Sequence, residues 1–223
     1  MDPAERAVSL RAYADETATC TRCALATGRT QVVFGSGNPD ADLMLVGEAP
    51  GFHEDRQGLP FVGQAGQLLD RLLAGIGLER ADVYVCNTLK CRPPGNRDPL
   101  EEEIAACEPH LFRQVELVQP RVVATLGNFA TRLLSGRSLG ITRVHGSEQE
   151  VTLGSSRVLL YPLYHPAAAL YTPSMLQVLE QDFGRLPELL GRAAVVEPAQ
   201  AVPRPDDEGI EAPVHEVVQL GLF

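Results

Sequence analysis

Leu43-Met44-Leu45-Val46-Gly47-Glu48-Ala49-Pro50-Gly51 is the stretch that decides the fold class. Four consecutive apolar residues bounded by turn formers read as a buried strand. The loop after it holds glycine, proline and one acid, and a second Gly/Pro-rich piece with an aromatic, Gly58-Leu59-Pro60-Phe61-Val62-Gly63, follows closely. A loop of this kind at a strand's carboxyl end is where open α/β sheets place their binding crevice. Its glycines let backbone approach a ligand, and Pro50 stiffens the turn.

Outward from this point, helical and strand patterns alternate. Residues 4–18 read as a helix that leads into Cys20-Thr21-Arg22-Cys23. A short strand is predicted over 31–34, then the buried strand over 42–46. Leu68, Leu69, Leu72 and Leu73 recur at helical spacing within a helix over 64–76 that stops at Gly77. Strands are predicted over 83–86, 121–126 and 157–163, and helices from Pro99, over 128–134 and over 173–190. Residues 141–151 read as irregular or as a hairpin. Strands alternating with helices define a parallel sheet covered on both faces.

Of 223 residues, 44% are hydrophobic, enough for a sizeable core. No apolar run approaches a membrane span, and Met1-Asp2-Pro3-Ala4-Glu5 has no signal-peptide character, so a cytoplasmic protein is expected. The net charge of −10 argues against indiscriminate nucleic-acid binding. Half of it lies in residues 194–223, where six acids stand against Arg204 alone. The body is therefore only mildly acidic, and Arg92, Arg97, Arg132, Arg137 and Arg143 are candidates for a basic face. Lys90 is the single lysine beside eighteen arginines.

Cysteines stand at 20, 23, 86, 91 and 107. In a reducing compartment metal ligation is a better reading than disulfides. Cys20 and Cys23 form a C-x2-C bite, while Cys91 and Cys107 straddle a Pro-rich loop and a helix. Four thiolates suit zinc; the wide second bite is easier to reconcile with a cube-like iron–sulfur cluster. Spacing leaves both open. Cys86 lies within a strand and reads as a small core residue.

The chain resembles the family 4 uracil-DNA glycosylases, the iron–sulfur branch of the uracil-DNA glycosylase superfamily. The resemblance is carried by Cys20-x-x-Cys23, the two loops quoted above, Asn87-Thr88-Leu89-Lys90-Cys91-Arg92-Pro93-Pro94-Gly95-Asn96-Arg97, Cys107-x-Pro109 and His165-Pro166-Ala167-Ala168. It implies a three-layer α/β/α fold around a four-stranded parallel sheet. It also implies a [4Fe–4S] cluster on Cys20, Cys23, Cys91 and Cys107, and hydrolysis of the N-glycosidic bond of deoxyuridine in DNA by a monomer. A nonenzymatic iron–sulfur or zinc DNA-binding module is the competing class, and intact Asn87, Phe61 and His165 speak against it.

The residue chemistry agrees with the resemblance. A glycosylase flips its base and holds it by stacking and by its Watson–Crick edge. Phe61 offers the stacking face. The Asn87 amide, one donor and one acceptor, matches uracil O4 and N3–H and mismatches cytosine. Gly47 and Ala49 complete the uracil-binding loop, and His165 is placed against uracil O2 to stabilise the departing anion. The superfamily's best-known branch has Asp where this chain has Ala49, so Glu48 and Glu54 are the candidates for orienting water. Phe52-His53 stands where the family usually carries more acids. Leu170 or Tyr171 would form the wedge that fills the vacated stack. Lys90 is expected at a phosphate, and no histidine between Lys90 and Cys107 offers covalent trapping, so a monofunctional enzyme without lyase activity is expected. Of the remaining histidines, His110 and His215 read as surface or tail positions, and His53 and His145 as loop residues.

Three segments are expected: a glycosylase domain over 1–192, an acidic Pro-rich linker over 193–218, and a terminal peptide over 219–223. Gln219-Leu220-Gly221-Leu222-Phe223 resembles the Gln-Leu-x-Leu-Phe peptide that docks bacterial repair proteins on the sliding clamp. Gln219 would offer hydrogen bonds at the rim, and Leu222 and Phe223 would fill an apolar cleft; a chance match is the alternative.

Overall fold

A computed structural model describes residues 1–193. In chain order the helices are α1 (Pro3–Ala18), α2 (Phe52–Gln57), α3 (Gln64–Gly75), α4 (Glu101–Val118), α5 (Asn128–Ser135), α6 (Ile141–Val144), α7 (Pro166–Ala169), α8 (Pro173–Gly184) and α9 (Leu186–Ala193). The strands are β1 (Ser36–Gly37), β2 (Leu43–Gly47), β3 (Tyr84–Asn87), β4 (Val122–Leu126), β5 (Gln149–Leu153) and β6 (Ser156–Leu163). The expected linker and terminal peptide lie outside the described residues.

The strands form one sheet in the order β1-β3-β2-β4-β6-β5. The central four, β3, β2, β4 and β6, are parallel, as expected. The sheet is nonetheless six-stranded, because an antiparallel strand closes each edge: β1 on β3 and β5 on β6. The strand expected over 31–34 does not form. The Val33 N–H donates instead to the Lys90 carbonyl at 2.8 Å, and pairing starts three residues later at Ser36. Residues 141–151 divide into α6 and the start of β5. The helix expected over 173–190 breaks between Gly184 and Leu186, just before Pro187, whose ring blocks continuation of the preceding turn.

Alternation along β2 sorts the core. Leu43 and Leu45 face one way and pack with Leu69 and Leu73 of α3 and with Phe183 and Leu189 of α8 and α9. Met44 and Val46 face the other way, toward Leu10 of α1, Leu111 and Val115 of α4 and Ala130 of α5. Both sides of the sheet are thus covered, which explains why β2 and β4 read as continuous apolar runs. Each fully buried leucine here contributes roughly 1.5–3 kcal/mol. A third, small cluster joins Leu25, Leu89, Cys91 and Cys107. No described helix is long and apolar enough to cross a membrane.

Parallel strands bring their carboxyl ends to one rim. Gly47 is paired beside Asn87, and β6 runs beside β4 into Tyr164 and His165. The loops that leave this rim carry most of the polar chemistry.

Candidate active site and cysteine cavity

Gly47, Phe61 and Asn87 meet at the rim. A Cβ placed on Gly47 would stand 2.7 Å from Phe61 Cζ and closer still to Asn87 Oδ1, so only glycine fits between them. Asn87 is buried at the end of β3, and its side-chain amide forms no hydrogen bond with the described residues, which leaves its donor and acceptor free for a ligand. The Phe61 and His165 rings stack, with centroids 5.6 Å apart and planes at 27°. Gly127, at φ +95°, lets the chain turn beneath His165; a Cβ there would lie 3.1 Å from His165 Cβ.

Phe61 is held in a left-handed conformation, φ +54°, which disfavours any residue with a side chain. Two clamps maintain it. Arg80 Nη2 donates to the Phe61 carbonyl at 2.9 Å. Glu54 Oε1 accepts from the next two amides, Val62 N at 3.0 Å and Gly63 N at 2.9 Å. Glu54 therefore fastens the loop that presents Phe61, and its carboxylate is already engaged. Its neighbour Asp55 is buried and accepts from Thr30 N at 2.9 Å. Glu54 and Asp55, adjacent in sequence, therefore point to different segments.

Glu48 is half-buried, and its carboxylate forms no hydrogen bond with the described residues. Burial, and secondarily the charge of Asp98, push its pKa above the usual value. His165 is shifted down to about 4, because the surrounding protein desolvates its ring; the charge of Glu54 acts in the opposite direction. Its Nδ1 accepts from Ala167 N at 3.1 Å. A neutral imidazole that accepts at Nδ1 carries its proton on Nε2. His165 is thus a neutral donor at ordinary pH. Of the wedge candidates, Tyr171 is 85% exposed, whereas Leu170 packs against the core.

Lys90 is not at a phosphate. It is buried, and its ammonium donates to the Asn87 carbonyl at 2.7 Å beneath the site. Thr88 N and Leu89 N tie the same segment to the Gly47 and Glu48 carbonyls at 2.9 and 3.0 Å. Arg97 also leaves the expected basic face: its guanidinium grips Glu103 with two bonds of 2.9 and 2.6 Å. That pairing lowers the Glu103 pKa.

Cys20, Cys23, Cys91 and Cys107 line one cavity, together with Arg22, Arg29, Lys90 and His110; Cys86 is buried in β3 away from it. Three of the sulfurs have nitrogen partners. Arg29 Nη1 lies 3.4 Å from Cys91 Sγ, Lys90 N lies 3.3 Å from Cys107 Sγ, and His110 Nε2 lies 3.3 Å from Cys20 Sγ. Tyr13 reaches His110 Nδ1 at 2.6 Å. His110 is therefore a buried partner of a cysteine, not the surface residue expected from sequence; the contact arises from α1 packing on α4. Burial pushes the Cys91 thiol up and the Cys107 thiol to about 11. No three described His, Cys, Asp or Glu side chains gather closely enough to hold a single ion.

The model of the Uracil DNA glycosylase superfamily matches residues 34–184. A type-4 uracil-DNA glycosylase of Sulfurisphaera tokodaii is 44% identical over 186 residues, covering 81% of this chain and 84% of the relative. Another, of Archaeoglobus fulgidus, is 45% identical over 181 residues, 79% and 91% of the two chains. A type-5 uracil-DNA glycosylase of Pyrobaculum aerophilum is 35% identical over 173 residues, 71% and 73%. The chain belongs to the uracil-DNA glycosylase superfamily and, within it, to the type-4 uracil-DNA glycosylase family.

Proposed function

We propose that this protein removes uracil from DNA by hydrolysing the N-glycosidic bond, leaving an abasic site. The observation that carries the reading is the convergence of Phe61, the uncommitted Asn87 amide and the neutral His165 donor around Gly47. The flipped base stacks on Phe61. Asn87 donates to O4 and accepts from N3–H. As the C–N bond breaks, negative charge grows on the base, and the Nε2–H of His165 donates to O2. An imidazolium would bury a charge and set a second N–H against the Ala167 amide; the neutral donor avoids both. Water supplies the new oxygen at C1′, and Glu48, free of partners and raised in basicity, takes its proton. Glu54 acts through the loop that it fastens. Tyr171 is the exposed wedge residue, with Leu170 as its packed base.

The cysteine cavity fits a [4Fe–4S] cluster. Cys20, Cys23, Cys91 and Cys107 would each hold one iron, and the bonds would tie the end of α1 to α4 and to the loop after β3. The wide bite from Cys91 to Cys107, across a loop and a helix, suits a cluster better than one zinc ion. Arg22, Arg29 and Lys90 offset thiolate charge, and nitrogen atoms already stand at three sulfurs.

Residues 1–192 then form the catalytic unit of a monomeric cytoplasmic enzyme. The terminal peptide at Gln219, Leu220, Leu222 and Phe223 serves as a tether to the sliding clamp, on the strength of its sequence alone. The deciding test is incubation with a labelled oligonucleotide containing one uracil, followed by alkali. Cleavage at the uracil position, absent with thymine there, supports the reading; an intact strand overturns it.

A further inference from the structure

Phe52 opens α2 directly after the site loop and is 47% exposed. Two guanidiniums attend its ring, Arg92 at 5.1 Å and Arg56 at 5.6 Å from the centroid. Arg92 belongs to the loop after β3, whose last residue is Asn87. Phe52 belongs to the connection after β2, whose last residue is Gly47. The contact therefore joins the two loops that leave the candidate pocket. Neither guanidinium pairs with a carboxylate among the described residues. The polar side-chain partner of Arg92 is Asn96, with Nε on Oδ1 at 2.6 Å.

Single exposed apolar residues are ordinary on protein surfaces. Two features set Phe52 apart: it lies beside a DNA-reading pocket, and it is flanked by two positive charges with no acid to satisfy them. Proteins that hold single-stranded DNA combine aromatic faces for the bases with basic side chains that track the backbone. We propose that Phe52 is a stacking platform for one nucleobase of the strand that carries the uracil, with Arg56 and Arg92 on the adjoining phosphates. This rests on the uracil-DNA reading above. In the free protein the guanidiniums cover the ring. An exposed cation–π contact is weaker than base stacking, so an incoming base displaces one guanidinium, which turns to the phosphate of the same nucleotide.

Fluorescence anisotropy on the full chain tests this. The probe is a labelled single-stranded oligonucleotide with one 2′-fluorodeoxyuridine, which resists hydrolysis. In a companion series each neighbouring nucleotide in turn is replaced by an abasic analogue. One position should stand out, where losing the base weakens binding roughly 5- to 150-fold. Phe52→Ala should bind the full probe weaker by that factor and show no further loss at that position, and Phe52→Tyr should restore both. Arg56→Gln and Arg92→Gln should each reduce the slope of log affinity against log salt by about 0.7. A Phe52→Ala protein that binds like the parent, or that keeps the positional loss, overturns the platform. Excision of uracil from an unmodified oligonucleotide by the parent is measured alongside. Its absence refutes the glycosylase reading, whereas the platform is judged on the abasic series alone.

Discussion

The His165 ring lies 5.6 Å from the Phe61 ring, with planes at 27°, so the residue that would stack on the base also shields the residue that would donate to its developing anion. That shielding belongs to the desolvation that lowers the His165 pKa to about 4. One aromatic thereby shapes the slot and covers a face of its donor.

His165→Ala should lower single-turnover uracil excision by about 10²–10³-fold, the usual cost of one anion-stabilising donor, with little change in DNA affinity. The sign of the pH dependence follows from the lowered pKa. The neutral form is present above the folded pKa and is lost as pH falls through about 4. Glu48, raised by burial, protonates first and should set the acid limb of the parent. In Glu48→Gln the residual activity should keep its acid limb near pH 4. A limb near 6.5 in that variant would show an unshielded histidine.

Asn87→Asp should weaken uracil excision by about 1–3 kcal/mol of transition-state binding, since one of two polar contacts to the base edge is lost. Cytosine release from a cytosine-containing oligonucleotide is the companion measurement; it should appear in the variant and not in the parent. Equal uracil rates for parent and variant would move the pocket elsewhere.

Iron content should separate the cysteines. Cys91→Ser should lose iron and the visible absorption near about 400 nm expected of such clusters, and Cys86→Ser should keep both. His110→Phe should retain iron but shift the cluster's reduction potential, because it removes the nitrogen 3.3 Å from Cys20 Sγ. Equal iron loss in Cys86→Ser and Cys91→Ser would overturn the assignment.

The sheet was legible where burial on both faces leaves a continuous apolar run, as in β2 and β4, and α3 where Leu68, Leu69, Leu72 and Leu73 mark one face. It was less legible at its edges. Ser36–Gly37 has no pattern of its own, and β5 alternates only weakly. The short α2 stayed hidden because Phe52-His53-Glu54-Asp55 lacks an apolar stripe. At the site, Gly47, Phe61, Asn87 and His165 could be singled out because strand ends and glycines mark them. What Arg80 and His110 touch is settled by contacts between distant segments, and Glu54 and Lys90 reach nearby backbone through loop turns that carry no periodicity. Arg97 reads as a candidate for a basic face because its partner Glu103 is reached only when the Pro-rich loop folds back onto α4.

Borohydride should trap no Lys90-dependent adduct with uracil-containing DNA. A lyase needs an amine that reaches the sugar, and this amine is buried against the Asn87 carbonyl. A covalent band that vanishes in Lys90→Arg would refute the monofunctional reading.

Deleting residues 219–223 should abolish capture by the sliding clamp and leave excision from a short oligonucleotide unchanged. Clamp binding that survives the deletion, or never occurs in the full chain, would assign the peptide another role.

Burial of the one lysine also fixes the character of the surface. Every side-chain cation that the described chain can offer to a phosphate, histidine aside, is a guanidinium. Guanidinium does not lose its proton in proteins, and it grips a phosphate through two parallel bonds. Attraction for DNA should therefore stay level into strongly alkaline buffer. Reagents or enzymes that acylate lysine should find nothing on this surface with which to switch that attraction off.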